Sequence, residues 1–297
     1  MKKLCYFVCL FWMGITFSQS FNNQVMIDSV PHLLGKFNKD ALLQEPYASW
    51  FQKNFDVYAP NQTVINSLKK ELSNYTITLF MGTWCGDSKR ETPRFFKILE
   101  AADFPLERVT AVALGLKNKS YKKSPGGEEE GLNIHRVPTF ILYKKGVEVN
   151  RIVEHPMASL EEDLLQIVTG NYNNYHYGVT RVNTYLENQK PQKVVANAKK
   201  ISKEILPYIH TKYDLNTFCK VLLAQDKNEE AIAVATINTY LFPGEISVFE
   251  TLANIQGVSN HKRDAIITYQ KALQIDPTRE DLQSLVKMFE EELNIKK

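Results

Sequence analysis

From Gln62 onward the apolar positions fall into regular order. Val64, Ile65, Leu68 and Leu72 recur at three- and four-residue steps, which predicts one buried face of a helix. Tyr75 to Met81, rich in β-branched and aromatic residues, predicts a buried strand. A polar stretch then leads into a helical pattern carrying Phe95, Phe96 and Leu99, and Val109 to Leu114 predicts a second strand. Residues 117–131 are polar, with Pro125-Gly126-Gly127 and a run of glutamates that reads as solvated. Phe140 to Tyr143 predicts a third strand, which Lys144-Lys145-Gly146 turns back into Val147 to Val153 as a hairpin. Ser159 is placed to cap a helix running to about Thr169, with Glu162 as capping-box partner and Gly170 closing it. This order of helices and strands predicts an α/β unit, a mixed sheet covered by helices on both faces.

On either side the pattern changes. In residues 21–60, Tyr47, Trp50, Phe51, Phe55 and Tyr58 recur at roughly helical spacing, which predicts an extension packed through a helix onto the next domain. Residues 171–178, rich in Asn and Tyr, read as a linker, and residues 179–297 read as purely helical. Val194, Ala198, Ile201 and Ile205 stripe a helix that starts near Pro191. Two segments, about 215–248 and 249–282, resemble each other at an offset of 34 residues. Glu230-Ala231-Ile232 matches Asp264-Ala265-Ile266, and Leu241-Phe242-Pro243 matches Ile275-Asp276-Pro277. This period, with Ala in the second helix and Pro at its exit, resembles the tetratricopeptide repeat. The first copy departs from it at Ala235 and Asn238, and residues 179–210 suggest a degenerate third helical pair. Cys219 aligns with Ala253, which makes it a small hydrophobe at a close helix contact; the alternative is a resolving thiol for Cys85.

Composition narrows the classes. The chain has 297 residues, 44% hydrophobic and 23% charged, which fits about two globular domains and excludes disordered, collagen-like and polytopic membrane proteins. A net charge of +3 does not point to nucleic acid. Lys2 and Lys3, the apolar run Leu4 to Phe17, and Ser18-Gln19-Ser20 have the layout of a secretory signal peptide over residues 1–20. The run is short for a membrane span. Neither Cys5 nor Cys9 follows the small residue that a lipid-anchored terminus requires. Cleavage takes the net charge from +3 to +1 and leaves Cys85 and Cys219 as the only cysteines. The expected location is extracytoplasmic: secretion across the inner membrane, and the periplasm in a Gram-negative cell. The six histidines, His135 among them, are scattered singly, and no cluster has zinc-ligand spacing, so neither metal nor cofactor is expected.

The chemistry concentrates at Cys85. A strand running into Trp84-Cys85-Gly86-Asp87-Ser88 and then a helix puts the thiol at a helix amino terminus, where unpaired N–H groups and the helix dipole favour the thiolate. Lys89 and Arg90 push the same way and Asp87 pushes back. The segment Phe80 to Lys89 resembles the active-site segment of the thioredoxin family, usually Trp-Cys-Gly-Pro-Cys-Lys. Pro93, eight residues after Cys85, resembles that family's helix-kinking proline, and Arg136-Val137-Pro138-Thr139 its cis-proline loop. The resemblance covers roughly residues 60–170 and implies a thioredoxin-like fold over 61–170. It also implies a cis Pro138 beside Cys85 and a substrate-binding surface formed by Trp84, Gly86, Val137 and Pro138, with substrate backbone bound at Val137.

The departures bear on function. Ser88 replaces the resolving cysteine, Asp87 the proline, and Leu79 the family's buried aspartate. Dithiol reduction needs a second thiol to release the mixed disulfide, and a serine hydroxyl cannot supply it. Ser88 is instead expected to hydrogen-bond the Cys85 thiolate. His135, three residues before Pro138, reads either as a neighbour of the site or as a surface side chain. Two functions follow. One is a secreted monothiol protein exchanging with protein or small-molecule thiols and disulfides through Cys85, its helical repeats recruiting a protein partner. The other is a non-catalytic binding module with a vestigial site. Peroxidase chemistry is a third, but Trp-Cys-Gly is not the frame that peroxidases of this broad fold use.

Overall fold

The computed structural model describes residues 21–117, 120–172 and 177–295; the expected signal segment and part of the expected linker lie outside them. A two-stranded hairpin comes first, β1 (Gln24–Ile27) and β2 (Val30–Leu33). Ile27 pairs with Val30, so Asp28-Ser29 is a two-residue turn, and both have positive φ, 51° and 63°. That is the turn geometry matching the natural twist of a hairpin. Then follow β3 (Gly35–Phe37), α1 (Lys39–Leu42), α2 (Ala48–Val57), α3 (Gln62–Glu71), β4 (Tyr75–Met81), α4 (Gly86–Ala101), β5 (Val109–Ala113), β6 (Thr139–Lys144), β7 (Val147–Val153) and α5 (Leu160–Val168).

Five strands form a mixed sheet in the order β3-β5-β4-β6-β7, parallel between β4 and β5 and antiparallel elsewhere. The segment before residue 60 therefore does more than pack a helix on the sheet: β3 is an edge strand of it. The expected aromatic helix is present as α2, with Phe51 buried against Phe96 of α4 at 6.3 Å between ring centres.

Alternation along β4 divides the core. Tyr75, Ile77, Leu79 and Met81 face one side, in a single hydrophobic cluster with Ala111, Phe140 and Leu142 and the apolar faces of α2, α3, α4 and α5. Phe95 of α4 lies 4.8 Å from Phe140. The second face differs from the expectation of helices on both sides. Phe80, Val112 and Ile141 are covered there by Leu114, Leu132, Ile134 and Val137 from the long segment between β5 and β6. Thr76, further along that face, is exposed. The glutamate run in this segment is also not simply solvated. Glu129 is buried and accepts from the Ser124 amide at 3.0 Å, and Glu128 pairs with Lys36 at 3.5 Å, so the two carboxylates pin the loop.

The remainder is helical: α6 (Tyr177–Asn188), α7 (Pro191–Ala196), α8 (Ala198–Ile205), α9 (Lys212–Ala224), α10 (Asn228–Leu241), α11 (Ile246–Val258), α12 (Lys262–Ile275) and α13 (Glu280–Ile295). Helices α9 and α11 begin at 212 and 246, and α10 and α12 at 228 and 262. The same offset of 34 that relates the sequences thus relates the helix pairs. Ala231 and Ala265 are fully buried at equivalent positions, as are Cys219 and Ala253. Small residues there let the helices approach closely. No helix among the described residues is long and apolar enough to cross a membrane.

Cys219 behaves as the repeat alignment requires. It is buried in the core of the helical region, and burial pushes its thiol well above the ordinary range. Native Cys219 should resist iodoacetamide until the helices unfold in urea. Cys219→Leu should lower stability by about 1–3 kcal/mol through overpacking. Cys219→Ala should cost roughly 1 kcal/mol. Urea denaturation followed by circular dichroism checks both.

Candidate active site

The site forms where β4 ends. Its antiparallel register with β6 sets Phe80 opposite Thr139, so the turn leaving β4 meets the loop entering β6. Cys85 caps α4 with extended backbone, φ −92° and ψ 128°, and its carbonyl starts the helix by accepting from the Lys89 amide at 3.0 Å. The thiol is half-buried and donates to the carbonyl of Val137 at 3.2 Å. The Val137–Pro138 peptide is cis. The structure thus brings Cys85, Trp84, Gly86, Val137 and Pro138 together, with Pro93 buried inside α4.

Trp84 is held by its indole N–H, which donates to the Leu114 carbonyl at 2.9 Å. Gly82 makes room for it: a Cβ there would sit 2.5 Å from the indole. Gly86 is exposed, with nothing near its missing side chain. Ser88 corrects an expectation. It is fully buried and its hydroxyl oxygen accepts from the Gly82 amide at 3.1 Å, closing the turn, rather than bonding to the thiol. The expected tug between Arg90 and Asp87 is also changed, because Arg90 pairs with Asp87 at 2.7 Å and with Glu91 at 2.6 Å.

Four consecutive carbonyls of the cis-proline loop are each held by a donor. Lys122 Nζ donates to His135 O, Thr139 Oγ1 to Arg136 O at 2.8 Å, Cys85 Sγ to Val137 O, and the Glu154 amide to Pro138 O at 2.7 Å. A backbone so fully satisfied presents a fixed surface to whatever approaches Cys85. The Arg136 side chain bonds Glu154 at 2.6 Å and lies 3.7 Å from Asp214, a buried residue of α9. His135 is not a surface side chain, one of its two readings; it lies in the loop that borders the thiol. It is buried, its ring 6.3 Å from that of Phe218 on α9. The helical region is therefore docked against the cis-proline loop.

Sequence reasoning missed several residues here. Thr83 Oγ1 accepts from the Leu33 amide at 3.2 Å and lies 3.1 Å from His32 Nδ1, which ties the first hairpin to the turn before Cys85. Burial, with the Lys89 ammonium adding to it, holds the His32 imidazole below its usual range. Lys122 is 4% exposed and has positive φ, 54°. Burial lowers its ammonium from 10.5 to about 7, assisted by Arg136 and opposed by Cys85 and Glu154. Long-range contacts of this kind leave no periodic signal in the chain. Among the described residues no group of three or more His, Cys, Asp or Glu side chains is placed to hold a metal ion.

No protein-family model matches the sequence, and no characterised protein is similar to it in sequence comparison.

The Lys122 shift has a definite consequence for stability. Its folded value lies below its unfolded one, so between about 7 and 10.5 the unfolded chain binds the extra proton and stability rises with pH. Lys122→Met removes that rise. In urea denaturation the variant should gain on the wild type at about pH 7 relative to about pH 10, by a few kcal/mol at most. Equal differences at both pH values would contradict the assignment.

Proposed function

We propose that the protein is a secreted, monothiol, thioredoxin-like protein that takes part in thiol–disulfide exchange through Cys85, with tetratricopeptide-like helices as its partner-binding platform. The observation that carries this reading is the Cys85 thiol at the amino terminus of a 16-residue helix, bonded to the carbonyl that precedes a cis proline. A helix amino terminus presents unpaired N–H groups to negative charge. Ionisation removes the S–H donor and leaves the Val137 carbonyl as an acceptor for an N–H of an incoming chain. The thiolate then attacks one sulfur of a disulfide, a new S–S bond forms, and the other sulfur leaves with the bonding pair and takes up a proton. With serine at position 88 and Cys219 buried, release falls to an outside thiol, whose thiolate attacks the mixed disulfide and expels Cys85.

The competing reading, a non-catalytic binding module, draws on the same Ser88, which serves the turn and not the thiol. Incubation with glutathione disulfide separates the two. The exchange reading expects a mixed disulfide on Cys85, seen by mass spectrometry, that persists until thiol is added and is lost in Cys85→Ser. Ser88→Cys should convert that adduct to an internal disulfide and shorten its lifetime by at least tenfold, on the order expected for an intramolecular thiol. A wild-type Cys85 that stays free under these conditions favours the binding module.

A further inference from the structure

Lys122 is a buried cation whose position the exchange chemistry above does not explain. The segment that carries it folds back on itself, its amide donating to the Gly115 carbonyl at 2.9 Å, and its ammonium reaches the His135 carbonyl. Cys85 bonds the carbonyl two residues further along the same loop. Thiol and ammonium therefore flank one short stretch of backbone, within Coulombic reach of each other.

The charges around Lys122 come from every element packed on it. Tyr121 lies beside it, with the ammonium 5.4 Å from the ring centre. Arg136 and His135 come from the cis-proline loop, Glu154 from the end of β7, Cys85 from the start of α4, and Lys220 and Asp214 from α9. Both carboxylates, Glu154 and Asp214, pair with Arg136. Lys220 is exposed, so solvent screens it. Among the described residues no carboxylate lies within ion-pair distance of Lys122. A buried ammonium is costly without a counter-charge. Glu154, also in Coulombic reach, is already paired with Arg136, and the further anion that can form beside this ammonium is the Cys85 thiolate.

We infer that Lys122 is a positioning residue for the thiol chemistry of Cys85: anchored on the His135 carbonyl, its ammonium supplies the positive charge that offsets the thiolate. The inference rests on the exchange reading for its purpose, but the charge coupling can be tested without it. When the thiolate attacks a disulfide, the mixed disulfide it forms is neutral and Lys122 loses its counter-charge. Its proton passes to solvent while the leaving thiolate gains one. When an outside thiolate releases Cys85, the proton returns to Lys122, so charge and protons balance over the cycle.

The test is the rate of iodoacetamide alkylation at Cys85 in the folded full chain, from about pH 5 to about pH 9, read on the Cys85 peptide by mass spectrometry. Lys122→Met should move the midpoint of the rate upward by about one pH unit, a tenfold loss on the acidic limb. Lys122→Arg, which keeps the charge, should restore the wild-type limb to within about threefold. A Met variant that titrates with the wild type would falsify the pairing, and so would equal shifts in Met and Arg variants, which would indicate lost packing. If the shift appears but glutathione disulfide forms no adduct, the pairing stands and the exchange reading fails.

Discussion

The antiparallel register of β4 with β6 is the constraint on which the rest of the site depends. It sets Phe80 against Thr139, and the two chain ends leaving that pair are the turn of Cys85 and the loop of Pro138. A shift of one residue would turn Phe80 and Ile141 to opposite faces of the sheet and part the thiol from Val137. The register is held by burial on both faces. Leu79 and Phe140 lock it against the helices, and Phe80 and Ile141 lock it against the loop segment 114–137. The hydrogen bond from Cys85 to Val137 is thus a consequence of core packing that Cys85 itself joins at its edge.

The helical region is part of that frame. Arg136 reaches Asp214, and His135 packs against Phe218, so α9 supports the loop that carries Pro138 from behind. A partner bound along the helices would lie on a body in direct contact with the site. The Arg136–Asp214 ion pair and the His135–Phe218 ring contact are among the contacts that join the two.

Much of this was legible in the sequence, and the reasons differ by element. β4 to β7 and helices α3 to α5 follow from periodicity because each buries a face large enough to impose it. The 34-residue offset survives as matching helix boundaries because stacked pairs demand equal lengths. β1 to β3 were not legible: β3 has three residues, and the hairpin turn is Asp28-Ser29 in place of the Asn-Gly or Asp-Gly that marks such turns. Thr76 and Thr78 on β4 already signalled a half-open second face, but Tyr-Thr-Ile-Thr-Leu-Phe-Met reads first as a continuous buried strand. Of the site, the Cys85 turn and the cis-proline loop carry local motifs. Lys122, His32 and Asp214 reach it through tertiary packing alone, and Ser88 turned inward because the Gly82 amide needed an acceptor.

On the proposed reading, Cys85 is a working nucleophile without a resolving partner of its own. Such a protein accumulates mixed disulfides with its natural partners, because the step that releases them depends on an outside thiol. The direct measurement is rapid alkylation of source cells followed by non-reducing electrophoresis, wild type beside Cys85→Ser. The account predicts reductant-sensitive adducts in the wild type that vanish in the variant. A wild-type protein recovered without adducts, with Cys85 as a free thiol, would contradict it.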